Sequence, residues 1–208
     1  MSITYLITEI KEIYRQILNR PLPLPTPEQT ERAIVQMKVA RSHIDDFWEG
    51  NLSAHSKIPL LHQPVYQLRA LESASKSLKA ARRLDPNAVL ETEEDGKKYH
   101  YTQDIIATEL LLIESQVYEM AGRNEFAVDY DIGIHRLKRK DQKKNFAKAL
   151  HAIERAALYQ PDSESVLSQR ATCLYLVERK RDARKVIQRA LTLYPSSIDL
   201  IKKSQELR

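Results

Sequence analysis

A single cysteine, Cys173, excludes an intrachain disulfide framework and a cysteine-built zinc site. Four glycines among 208 residues are too few for an all-β chain rich in tight turns, and they suit helices. No apolar run approaches the roughly 18 residues that a membrane span needs. Met1–Tyr14 carries Glu9 and Glu12 and lacks a basic stretch before an apolar core, so it does not read as a secretory signal. The expected location is therefore cytoplasmic and reducing. The sequence also lacks H-E-x-x-H, G-x-S-x-G, a glycine-rich phosphate loop and a Walker-type lysine. His151 and Glu154 share a helix face, but a metal needs three or four converging ligands. Asp129 and Asp131 flank Tyr130 without an evident acid–base companion. The expectation is a chain that is not an enzyme and uses neither metal nor cofactor.

What the sequence does hold is one spaced pattern, three times over. Ala74, Leu78, Ala81 and Pro86 recur as Ala149, Ile153, Ala156 and Pro161, and again as Ala183, Ile187, Ala190 and Pro195. The last two copies are 34 residues apart at all four positions. Residues three and four apart share a helix face, so each copy is a small–large–small stripe. Alanine lets a neighbouring backbone approach closely, and the larger residue fills the groove between. The proline lacks an N–H and ends the helix. A fixed period of this length predicts stacked pairs of helices.

Glu164–Ser197 resembles a tetratricopeptide (TPR) repeat. Leu167, Ala171 and Leu174 fit the large–small–large positions of that family's first helix. Ala183, Ile187, Ala190 and Pro195 fit its second-helix signature, while Glu178 stands where the family has a turn glycine. A looser match begins near Thr108 with Leu111, Ser115, Tyr118, Gly122 and Ala127, then fails at Asp131 and Ile134. The resemblance is partial over 64–86 and 108–163, and covers about half of the chain. It implies an all-α, TPR-like helical-hairpin solenoid whose first helices line a peptide-binding groove. Glu109, Leu112, Gln116 and Met120 would line it from one unit, and Ser165, Ser168, Thr172 and Leu176 from the next. The lysines and asparagines with which some relatives grip a terminal carboxylate are missing at these positions.

Along the chain, residues 1–20 form an amphipathic helix by the spacing of Leu6, Ile10, Ile13 and Ile17. Residues 21–27 are a proline-rich spacer close to polyproline II. Residues 28–208 make up the TPR-like domain. Its first helix opens on Thr26 as N-cap, Pro27 and Gln29, and turns Ile34, Met37, Ile44 and Phe47 or Trp48 inward. Pro64–Asp85 is a second helix. An insertion, about 87–103, reads as a short hairpin or a loop. Asp104–Met120 is helical. Arg123–Lys140 alternates like a strand at 128–135, but the reading favours a helix interrupted near Gly133. Lys143–Tyr159, Ser165–Val177 and Arg181–Tyr194 are helices. Ser197–Leu207 is a terminal capping helix with Ile198 and Ile201 inward and charges outward.

The net charge of +5 belongs entirely to residues 105–208. Two basic clusters hold it. One is Arg136, Lys138, Arg139, Lys140, Lys143, Lys144 and Lys148. The other is Arg179, Lys180, Arg181, Arg184, Lys185 and Arg189. Stacked repeats could bring both to one edge, where they would meet an acidic partner or nucleic-acid phosphates, or simply solvate the surface. Phe146 is the only aromatic within the clusters and is expected to be buried, so base stacking is not indicated. The expected function is a protein-binding adaptor, scaffold or assembly factor. A nucleic-acid-binding accessory protein is the alternative, and self-association stays open.

Overall fold

The computed structural model describes residues 24–48, 63–94, 96–123, 126–129, 133–136 and 139–207, with 46–48, 63–70, 94, 126–129 and 133–136 described by their backbone only. The expected amphipathic helix at 1–20 and residues 21–23 of the expected spacer lie outside these residues, as do residues 49–62, and Gln63, where a loop over 51–63 is expected, begins the second helix.

The described chain is mostly helical. Helix α1 (Pro27–Trp48) packs on α2 (Gln63–Leu84). A hairpin of β1 (Val89–Glu94) and β2 (Lys97–Thr102) leads into α3 (Gln103–Arg123). A second hairpin, β3 (Phe126–Asp129) and β4 (Gly133–Arg136), separates α3 from α4 (Arg139–Tyr159). Then follow α5 (Glu164–Leu176), α6 (Lys180–Leu193) and α7 (Ile198–Glu206). The pairs α1–α2, α3–α4 and α5–α6 make the most extensive helix contacts.

Local chemistry explains the boundaries. Thr26 and Gln29 form the expected capping box. The Gln29 N–H donates to Thr26 Oγ1 at 3.2 Å, and the Thr26 N–H donates to Gln29 Oε1 at 2.8 Å. Thr102 Oγ1 receives the Ile105 N–H at 3.3 Å and starts α3. Ser197 Oγ receives the Leu200 N–H at 3.2 Å and starts α7.

The three sequence stripes fall at equivalent places, in the second helices α2, α4 and α6. All six alanines (Ala74, Ala81, Ala149, Ala156, Ala183 and Ala190) are completely buried. Leu78, Ile153 and Ile187 are buried between them. The turns that follow are closed by the same two backbone bonds. In each, the last alanine's carbonyl accepts from the residue before the proline: Asp85, Gln160 and Tyr194, at 3.0, 3.1 and 2.8 Å. The carbonyl of that residue then accepts from Ala88, Ser163 or Ser197. Pro86, Pro161 and Pro195 sit in these turns, exposed.

Three apolar clusters follow the chain and overlap. The first joins α1, α2, β1 and α3 around Met37, Ile44, Leu90, Ile106 and Ile113. The second joins α3, α4 and α5 around Ile153, Val166 and Cys173. The third joins α5, α6 and α7 around Leu167, Leu174, Ile187 and Leu200. Each buried branched side chain contributes about 1.5–3 kcal/mol, so the stack is held unit to unit. Asp85 ties the first junction. Its carboxylate accepts from Thr30 Oγ1 at 2.7 Å and from the Asn87 N–H at 2.9 Å, and its carbonyl accepts from Gln103 Nε2 at 2.6 Å.

Several expectations are corrected. The helix near Gly133 is the β3–β4 hairpin; the alternation of Val128–His135 was the better guide. This hairpin is inserted between the two helices of its unit, so Ala149, not Ala127, holds the second-helix position there. That explains why the match from Thr108 failed at Asp131 and Ile134. Of the two readings of the insertion after α2, the hairpin is the one found, with its turn glycine, Gly96, at φ 73°. On α7, Ile198 and Ile201 are 66% and 41% exposed, while Leu200 is completely buried. The Ser197 cap rotates the helix so that Leu200 and Leu207 face α5 and α6. Within α1, Ala33 and Ala40 are buried beside Met37 and Ile44, and Ile34 is only half-buried.

Candidate functional site

The first helices α1, α3 and α5 lie side by side, and α7 continues the row. Their outward face carries the groove residues expected from sequence. Glu109 is half-buried and ion-paired to Arg41 of α1. Burial pushes its carboxyl up, the Arg41 guanidinium pulls it back, and Asp45 adds to the rise. Glu109 is thus engaged within the chain. Leu112 is half-buried against the α3–α4–α5 cluster. Gln116 is half-buried, and Met120 is 44% exposed. On α5, Ser165 is exposed, and Ser168, Thr172 and Leu176 are half-buried. Thr172 Oγ1 donates to the Ser168 carbonyl at 3.2 Å, within its own helix. Of these expected positions, Gln116, Met120, Ser165 and Leu176 make no side-chain hydrogen bond or ion pair among the described residues.

A polar seam missed by sequence reasoning joins these helices. Gln169 Nε2 donates to Glu119 Oε2 at 2.7 Å, and Arg123 Nε donates to the other Glu119 oxygen at 2.8 Å. Lys203 of α7 donates to Ser168 Oγ at 2.9 Å. Burial pushes the Lys203 ammonium down, and Glu119 and Glu206 oppose this. The expectation that α7 turns its charges outward is corrected at Lys203. Beneath the seam, Ser115 Oγ donates to the Ala149 carbonyl at 2.9 Å and lies 3.3 Å from Cys173 Sγ. Cys173 is fully buried, and burial first of all pushes its thiol up to about 11. It is a packed residue rather than a nucleophile.

The opposite side of α3 floors a cleft of about 510 Å³ between α2 and α4. Leu71, Leu78, Leu110 and Leu111 form its base, with Lys79, Arg155 and Tyr118 around it. Arg82 closes one end, donating to Tyr159 Oη at 2.9 Å and to Asp104 at 2.8 Å. No single motif signals this cleft, because its walls come from three helices.

The basic clusters meet. Lys143 of α4 pairs at 3.2 Å with Glu178 in the α5–α6 turn, so the start of α4 and the start of α6 share one end of the stack. Arg139, Lys140, Lys143, Lys144 and Lys148 are exposed there, as are Arg179, Lys180, Arg181, Arg184 and Lys185. Some are engaged. Lys148 and Lys180 lie over the rings of Tyr118 and Tyr175, at 5.0 and 5.2 Å. Arg179 pairs with Asp182 at 2.8 Å, and Arg184 Nε donates to the Leu207 carbonyl at 3.3 Å. Arg189 instead pairs with Asp162 at the other end of α6. Lys138 and the Arg136 side chain lie outside what is described. The carboxylates of Asp129 and Asp131 do too.

Among the described residues no three metal-ligating side chains converge, and no helix is long and apolar enough to cross a membrane. No protein-family model matches the chain, and no curated protein matches it.

Proposed function

We propose that this chain is a non-enzymatic, TPR-like solenoid that serves as an adaptor, scaffold or assembly factor. It holds a partner protein on the face of its first helices. The single observation carrying this reading is the equivalence of the three stripes. Each lies in a second helix, each is buried, and each is followed by the same turn. Such packing leaves the first helices in a row with a continuous outer face, and that face suits an extended or helical peptide of modest charge. The half-polar lining from Gln116, Met120, Ser165 and Leu176 fits that ligand.

The test is site-specific cross-linking. A photoreactive residue at Met120 should give a discrete adduct with one partner in cells that make the protein. The same residue at Leu158, 82% exposed on α4, serves as control. Equal, diffuse labelling from both positions would refute the groove. A second reading, a nucleic-acid-binding accessory protein, draws on the convergence of the basic clusters at one end. A gel shift at low salt that disappears steeply as salt rises would favour it.

A further inference from the structure

Within that binding role, the basic end of the stack is a surface separate from the groove. Its cations come from two segments separated in sequence, and the Lys143–Glu178 pair marks where those segments meet. Arg139, Lys140, Lys144, Arg181 and Lys185 are exposed there and make no ion pair among the described residues. Helices α4 and α6 both begin at this end, so their positive dipole ends add to the field. The local carboxylates are fewer than the cations: Asp182 is bound to Arg179, Glu178 to Lys143, and Asp141, exposed in the first turn of α4, makes no ion pair among the described residues.

We propose that this end docks an acidic polypeptide segment whose carboxylates are spaced apart, and that Glu178 selects against continuous polyphosphate. Two observations separate these ligands. First, the aromatic rings nearest the patch are engaged: Tyr118 and Tyr175 have lysines over them, and the Phe146 ring is packed on Gly122. Among the described residues, no ring at the patch is free of a lysine or a packing contact, which disfavours base stacking. Second, Glu178 is exposed and stands between the two groups of cations. Nucleic acid presents its charges at close, regular intervals and would meet this carboxylate head-on. A peptide with interrupted acids passes it, and the arginines receive carboxylates bidentately.

The experiment measures fluorescence anisotropy of the full chain with a labelled peptide of alternating glutamate and serine. A single-stranded oligonucleotide of equal net charge is measured in parallel at low salt. The peptide should bind more tightly than the oligonucleotide. The double variant Lys144→Gln/Arg181→Gln should lose about tenfold in peptide affinity, while Lys79→Gln/Arg155→Gln, on the cleft, should leave it unchanged. Glu178→Gln should tighten the oligonucleotide more than the peptide. Absence of peptide binding, or equal loss from both double variants, overturns the proposal. An oligonucleotide that binds wild type as tightly as the peptide reassigns the surface to nucleic acid and overturns it too. None of these outcomes alters the Met120 cross-link, so the groove stands or falls on its own.

Discussion

Glu178 holds a left-handed backbone, φ 67°, in the turn between α5 and α6. A side chain there costs about 1–2 kcal/mol that glycine does not incur. Its ion pair with Lys143 is exposed on both sides and offsets little of that cost. Glu178→Gly should therefore stabilise the protein by about 1 kcal/mol in chemical denaturation. A carboxylate kept in a glycine position at a local cost is consistent with use of its charge. Cys173 makes a second prediction. The native thiol keeps its proton up to about pH 11, whereas an unfolded thiol releases it near about 8.5. Stability is complete below the lower value and is lost as pH rises through the upper one, by up to about 3 kcal/mol. Cys173→Ala should flatten that part of the profile. An identical slope in both proteins would show that the thiol plays no part in it.

The helices, at the next scale, show where sequence reading succeeds. Wherever a small–large–small stripe ended in proline, the second helix of a pair followed, because burial of alanine and loss of an N–H are local and unambiguous. Replacing Ala190 with leucine should force α6 from its neighbours and cost about 1–3 kcal/mol. Unchanged thermal stability would show that the site is not close-packed. Gly122→Ala tests the α3–α4 contact in the same way. A Cβ there would lie 2.5 Å from the Phe146 ring, so a drop of about 1–3 kcal/mol is expected. Failures had a common cause as well. At Val128–His135 both helical and alternating spacings were present, and only strand pairing could decide. On α7, apolar residues lie at 198, 200 and 201, and the spacing alone did not say which face is buried. The Ser197 cap and the pocket left by α5 and α6 chose Leu200 and Leu207. Of the candidate site, the basic clusters were legible as residues, while the groove positions rest on the family resemblance. The Lys143–Glu178 meeting, the α2–α3–α4 cleft and the Lys203 reach were not, since each joins helices distant in sequence.

Across the whole molecule, the main helix contacts join each hairpin to its neighbours, and the three apolar clusters overlap in the same order. Stability is then close to a sum of units and interfaces. Removing residues 198–208 uncovers the end of the third cluster and forfeits burial of Leu200 and Leu207. A loss of about 3 kcal/mol or more is expected, read from the denaturant midpoint. The first cluster should keep its own protection in hydrogen exchange, and its simultaneous collapse would contradict unit-by-unit cohesion. Among the described residues, helix α3 touches α1, α2 and β2 on one side and α4 and α5 on the other. It is the keystone of the chain. Any shortened version that remains a single body must retain it, and a ligand that shifts it would be felt at both extremities at once.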